Sequence, residues 1–184
     1  MCEELLEAIE SKDEKRRFWA ATGLGCLADK KVLGDTAEKV ALRPARMAAA
    51  DPKFGARHVA LWVLGKLPAH VAVTLSAIVG RLKTDRNKYV REEAARALGS
   101  LRSAASPASE DLVSALQDRD RGVQWYTSIA LKLVPITPHS KEASALARVA
   151  ARHPDELVRS QLEVAVRYTR QRAKRLQSRA KQSR

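Results

Sequence analysis

An arginine, or a residue standing in for one, returns five times along this chain, as Arg17, Arg57, Arg91, Gln124 and Arg159, at intervals of 40, 34, 33 and 35 residues. Each sits in a similar phrase. The clearest is Asp85 to Gly99, DRNKYVREEAARALG, which reads as an acidic turn, Val-Arg, small residues and Leu-Gly. Related phrases end at Gly25, Gly65, Lys132 and Arg167. Seven residues beyond the arginine stand Leu24, Leu64, Leu98, Leu131 and Val166. Three further on come Leu27, Leu67, Leu101, Val134 and Thr169. A period of this length means one supersecondary unit used repeatedly, each copy burying its apolar side only against the next.

The period and the phrase resemble HEAT repeats, in particular the short HEAT-like variety also found in bacterial bilin lyases. The resemblance runs from about residue 3 to residue 170 and is weakest in the fifth copy, where Arg167 replaces the glycine. It implies an all-α solenoid of about five stacked antiparallel helix pairs. Residue content agrees: Ala, Leu, Val and Arg dominate, and only 4% of residues are aromatic, which favours helices throughout.

The second helix of each pair carries the repeated phrase, and the first fills the gap before it. EELLEAIE, DTAEKVALRPARMAA, AHVAVTLSAIVGRL, EDLVSALQD and KEASALARVAARH are the five first helices. Pro44 is expected to kink the second of these or to start a new turn. Ser106-Pro107 and Thr137-Pro138 read as a cap followed by a first-turn proline, opening the fourth and fifth. All linkers are short, so neighbouring helices run antiparallel. The expected division is a solenoid over residues 1–167 and a basic extension over 168–184.

The net charge is +13, but no Asp or Glu follows Glu163. Arg167, Arg170, Arg172, Lys174, Arg175, Arg179, Lys181 and Arg184 lie beyond it, so removing those eight leaves +5 for the rest. Such a tail is drawn to polyanions. It has few apolar positions (Tyr168, Ala173, Leu176 and Ala180), so it reads as a solvated appendage or a polar cap for the last repeat. It offers no broad face for a membrane. The acidic N-terminus has no signal-peptide core, and no apolar run approaches the roughly 18 residues of a membrane span. Cys2 and Cys26 form neither a metal spacing nor a disulfide framework. The expectation is a soluble cytosolic protein with free thiols.

Enzyme signatures are sparse. His58, His70, His139 and His153 have no zinc spacing with a cysteine, there is no phosphate loop, and neither cofactor nor metal is expected. Gly25, Gly65 and Gly99 read as structural. Asp51, Asp85 and Asp118 form one column, and Asp13, Asp120 and Asp155 another. Both read as turns, caps and inter-repeat ladders.

The informative residues are the aromatics. At about 100° per residue, Val90, Ala94, Ala97, Leu98 and Leu101 face the core. The positions one and five after the arginine column point nearly opposite. The first holds Phe18, His58, Glu92, Trp125 and Ser160, and the second Thr22, Trp62, Arg96, Ile129 and Val164. An intermediate column, two after the arginine, holds Trp19, Val59, Glu93, Tyr126 and Gln161. In a HEAT stack the second helices line the concave face, so Phe18, Trp19, His58, Trp62, Arg96, Trp125 and Tyr126 are the candidate binding residues, with Trp62 and Trp125 farthest from the core direction. Exposed aromatics anchor partner proteins or stack on bases.

The expected function is a non-catalytic scaffold holding a protein partner on that face. The alternative is nucleic-acid binding, using Arg170, Arg172, Lys174, Arg175, Arg179 and Lys181 of the tail. Glu92 and Glu93, in the middle of the face, oppose a continuous phosphate track. A remoter alternative comes from the HEAT-like alkylpurine DNA glycosylases, which use concave-face tryptophans, an Asp and an Arg. Trp62, in LWVLGKL, looks like one of those positions. The resemblance stops there, because one turn after Trp19, Trp62 and Trp125 stand Gly23, Lys66 and Ile129, and none is an Asp. A bilin lyase fits the repeat type, although no residue singles out a chromophore. The sequence leaves the oligomeric state open.

Overall fold

The structure is a computed structural model that describes residues 1–30 and 32–182, with side-chain surroundings up to Ser178. Ten α-helices, and no strand, occur among the described residues. They form five antiparallel pairs: α1 (Cys2–Ala8) with α2 (Glu14–Asp29), α3 (Ala37–Ala50) with α4 (Phe54–Leu64), α5 (Val71–Thr84) with α6 (Lys88–Leu101), α7 (Ser109–Ala115) with α8 (Arg121–Leu133), and α9 (Lys141–Arg152) with α10 (Glu156–Gln182). The second helices, α2, α4, α6, α8 and α10, pack in sequence as one layer, and the first helices form the other.

The second helices meet more extensively than the first helices at the three junctions that involve the seven-residue α1 or α7, and to the same extent where α3 meets α5. α6 lies closely along α8, whereas α5 barely meets α7, where a 3-10 run over Arg102–Ala108 intervenes. The glycines explain the close approach. A Cβ at Gly65 would lie 2.9 Å from the Cα of Ala97, and one at Gly99 would lie 3.1 Å from the Cα of Ala130. Here glycine serves close helix contact rather than an unusual turn.

Four of the five second helices start on a side-chain cap, and α4, which follows Lys53, has none. Asp13 accepts from the Arg16 amide, Asn87 from Tyr89, Asp120 from Gly122 and Val123, and Asp155 from Leu157 and Val158. The inward stripe behaves as its spacing requires, with Val90, Ala94, Ala97, Leu98 and Leu101 all buried, as are Leu64 and Leu131.

The arginine column is a ladder between repeats. Arg17 grips Asp51 through two hydrogen bonds of 2.6 and 3.0 Å. Arg57 grips Asp85 at 2.7 and 2.9 Å, and Arg91 grips Asp118 at 2.7 and 2.9 Å. Each guanidinium also donates to the carbonyl six residues before it, on Ser11, Asp51 and Asp85. Gln124 and Arg159 keep that backbone bond, to Asp118 and His153. The ladder itself stops at the fourth junction, where Gln124 stands in for the arginine and His153 for the aspartate. An exposed ion pair between Arg121 and Asp155 replaces it.

Two local expectations are corrected, and of the two readings of Pro44 the new turn is excluded. α3 continues through Pro44, which lies buried within it beside Val40, Ala41 and Ala45. The missing amide costs the helix one bond, and packing of this face offsets it. Ser106-Pro107 belongs to the 3-10 run, and α7 begins without a side-chain cap. Thr137-Pro138 lies in the preceding turn, and the cap of α9 is Ser140, which accepts from the Ala143 amide. Pro107 and Pro138 therefore sit upstream of their helices rather than at the first turn.

Candidate binding face

The three outward columns do different work. The position two after the ladder residue leans back onto the preceding repeat. Glu93 approaches His58, Tyr126 lies beneath Arg96 with 5.4 Å from the guanidinium to the ring centre, and Gln161 accepts from Lys132 at 2.6 Å. This column is a seam, which explains why Val59 and Glu93 are buried. The positions one and five after the ladder residue form the open face. Phe18, His58, Trp62 and Trp125 are half-buried there, and Arg96 is exposed.

Trp62 is half-buried because its indole enters a notch in the preceding helix. A Cβ at Gly25 would fall 2.0 Å from the indole Cζ3, so only glycine leaves room. The Lys66 ammonium covers the ring at 4.3 Å from its centre and pairs with Asp29. Trp125 and Tyr126 pack their inner edges on the core. Trp62 and Trp125, placed farthest from the core by helical angle alone, therefore rest partly on neighbouring helices, since rings this large reach across the seam.

Trp19 is the most exposed tryptophan, at 66%. It meets Phe18 edge-on, with ring centres 5.4 Å apart. Its column looks back towards a preceding repeat, and no described residues of this chain form one there. Trp19 thus lies on α2 of the first described repeat, outside the seams between the described repeats.

The sequence matches the family of HEAT repeats twice, over residues 2–99 and 75–167. The chain belongs to the HEAT-repeat family. Among solved structures, an engineered protein superposes with a TM-score of 0.67 at 20% identity, covering 92% of this chain and 79% of that one. A chain from the complex of CpcE and CpcF of phycocyanin lyase from Nostoc sp. PCC7120 superposes with a TM-score of 0.57 at 19% identity, covering 89% of this chain and 96% of that one. At these identities the likeness is one of fold. The sequence matches no curated protein.

On the open face of this HEAT stack, one residue departs from expectation. Glu93, expected to face outward, is only 4% exposed. Its nearest charged neighbours, His58 at 3.6 Å and Arg96 at 3.7 Å, stand beyond hydrogen-bonding distance. Burial pushes its carboxyl up to about 7, despite the pull of Arg96 and Lys66. Burial, and then Arg96, hold the His58 imidazole below its ordinary value. Neither partner favours its charged form, so the 3.6 Å approach is no firm ion pair at neutral pH. Glu92 is half-buried and raised as well, first by burial and then by Asp120. The centre of the face is thus less negative than its two glutamates suggest. A sequence signal for Glu93 existed, since it shares its column with apolar Val59.

The basic extension continues α10 without a break at residue 167. Arg170, Arg172, Lys174 and Arg175 are exposed, while the side chains of Arg179 and Lys181, on the last turns of α10, lie outside the described surroundings. Among the described residues no three His, Cys, Asp or Glu gather as metal ligands, and no single helix is long and apolar enough to cross a membrane.

Proposed function

We propose that this HEAT protein is a non-catalytic scaffold that holds a protein segment along its second-helix face. The reading rests on one observation: Phe18, Trp62 and Trp125 present half-buried rings across α2, α4 and α8, with the Arg96 guanidinium exposed between them over Tyr126. A ring wedged by its neighbours loses little freedom when a partner covers its outer edge, so it makes an economical anchor. Arg96 and Lys66 favour a partner that carries carboxylates among apolar side chains. The ladder below holds the helices at fixed spacing. Basic residues on the exposed side of α10 support the second reading, nucleic-acid binding through phosphates.

The test is affinity capture from host lysate with and without nuclease, using wild-type protein and the variants Trp125→Ala and Arg96→Glu. A protein retained after nuclease treatment, and bound at least about 1 kcal/mol more weakly by each variant, is the expected outcome. Capture that disappears with nuclease overturns this reading in favour of nucleic acid.

A further inference from the structure

α10 outruns the helix beside it. By the spacing of 35 residues between Gln124 and Arg159, the last residue of α8, Leu133, is level with Tyr168, and α10 runs on to Gln182. The side of α10 that meets the preceding repeat at Gln161 comes round again at Tyr168 and Arg172, seven and eleven residues later. There α8 has ended, and the chain leaves it through Val134, Pro135 and Ile136. A cavity of about 490 Å³ opens between the end of α8, this segment and α10.

Its walls are of two kinds. Leu133, Tyr168 and Leu176 line it while 38%, 52% and 50% exposed, so the apolar positions of the basic extension gather here rather than in the core. Lys132, Arg172 and Arg175 supply the charge. Lys132 donates to the neutral side-chain oxygen of Gln161 at 2.6 Å, and both arginines are exposed. No Asp or Glu is among the described residues that line the cavity, and none occurs over residues 133–141 or 164–184. Glu163, nine residues before Arg172, faces the opposite side of α10 and lines the groove along α9. The carbonyl end of α8 brings roughly half a negative charge to the cavity, which the three cationic side chains outweigh.

We propose that this cavity binds an acidic peptide segment of a partner protein. One bulky apolar side chain of the peptide fills the space between Leu133, Tyr168 and Leu176, and carboxylates flanking it meet Lys132, Arg172 and Arg175. Covering the exposed apolar surface supplies the affinity, and the cations fix which segment is accepted and how it lies. The cations come from two helices, and Arg172 and Arg175 are neighbours three residues apart on one of them. Several spaced carboxylates, as on a peptide, answer that arrangement better than a single anionic group. A nucleic acid needs rings on which its bases stack, and Tyr168 is the one aromatic among the described residues here. The site goes beyond the scaffold reading, because it uses none of the rings of that face and stands if that reading fails.

Fluorescence anisotropy with the whole chain at low salt tests this. The probe is a short labelled peptide that carries one phenylalanine between aspartates. It should bind with a dissociation constant below about 1 mM, and more weakly as salt is raised. Alanine in place of its phenylalanine should weaken binding at least about tenfold, as should Arg172→Glu with Arg175→Glu in the protein. The double variant should keep the circular dichroism spectrum of the parent, because both side chains are exposed. A peptide that does not bind overturns the proposal. So does equal binding of the alanine peptide, which would mean charge attraction alone, and so does binding that survives the arginine reversals. A single-stranded oligonucleotide of matching charge that binds more tightly than the peptide, and is lost with the same reversals, overturns it in favour of nucleic acid.

Discussion

Gly25 and Trp62 form a lock in which each residue explains the other. The indole fills the space that any side chain at position 25 would need. Gly25→Ala should therefore expel the ring and destabilise the chain by about 1–3 kcal/mol, read by denaturant unfolding and by a shift of tryptophan emission. Trp62→Ala introduced on top of it should cost less than the two separate losses combined. Glu93 sets a different single-residue test. Its folded carboxyl, raised to about 7 from an ordinary 4.5, holds a proton that the unfolded chain has released. Stability from this group is thus complete below about pH 4.5 and is lost as pH rises through about 7, by on the order of 3 kcal/mol. Glu93→Gln should flatten that decline in unfolding measured from pH 5 to pH 8. An equally steep decline in the variant would assign the dependence elsewhere.

Between neighbouring helices, the ladder is the main polar tie. Asp85 is almost fully buried; burial raises its pKa, but bonds from Arg57 and the Asn87 amide outweigh that and hold it below its ordinary value. Its contribution has the opposite sign to that of Glu93, being present at neutral pH and lost as acid protonates the carboxylate. Arg57→Ala leaves this buried carboxylate with only the longer Arg81 contact at 3.5 Å, and should cost up to about 3–5 kcal/mol. Gln124→Ala removes only a neutral bond to the Asp118 carbonyl and should cost about 1 kcal/mol. Chemical denaturation of the pair of variants checks the contrast. Equal losses would mean that the ladder carries no special share of the stability. The elements themselves were legible from their spacing and caps. Proline placement was not, because a proline before a helix looks the same in sequence whether it starts an α-turn or a 3-10 run.

Across the whole stack, the junction between the fourth and fifth repeats is tied differently from the others. Gln124 and His153 replace the ladder there, and the Arg121 side chain that substitutes is 79% exposed. Exposed pairs contribute little, and a linear array can open where its neighbour term is weakest. Hydrogen exchange should find the amides of α9 and α10 opening at lower free energy than those of α6, and uniform protection across the five repeats would contradict this. The sequence by itself determined the repeat, its five copies, the inward leucines and the columns of arginine and aspartate, though not which aspartate column meets the arginines. All of these are local patterns multiplied by a fixed period, and they survive any small error in how the copies stack. Only the tertiary structure decided what each outward position meets. The seam between copies buries Glu93, seats Trp62 against Gly25 and leaves Trp19 bare, because a side chain's environment there is made by residues one whole repeat away, which helical angle alone does not specify.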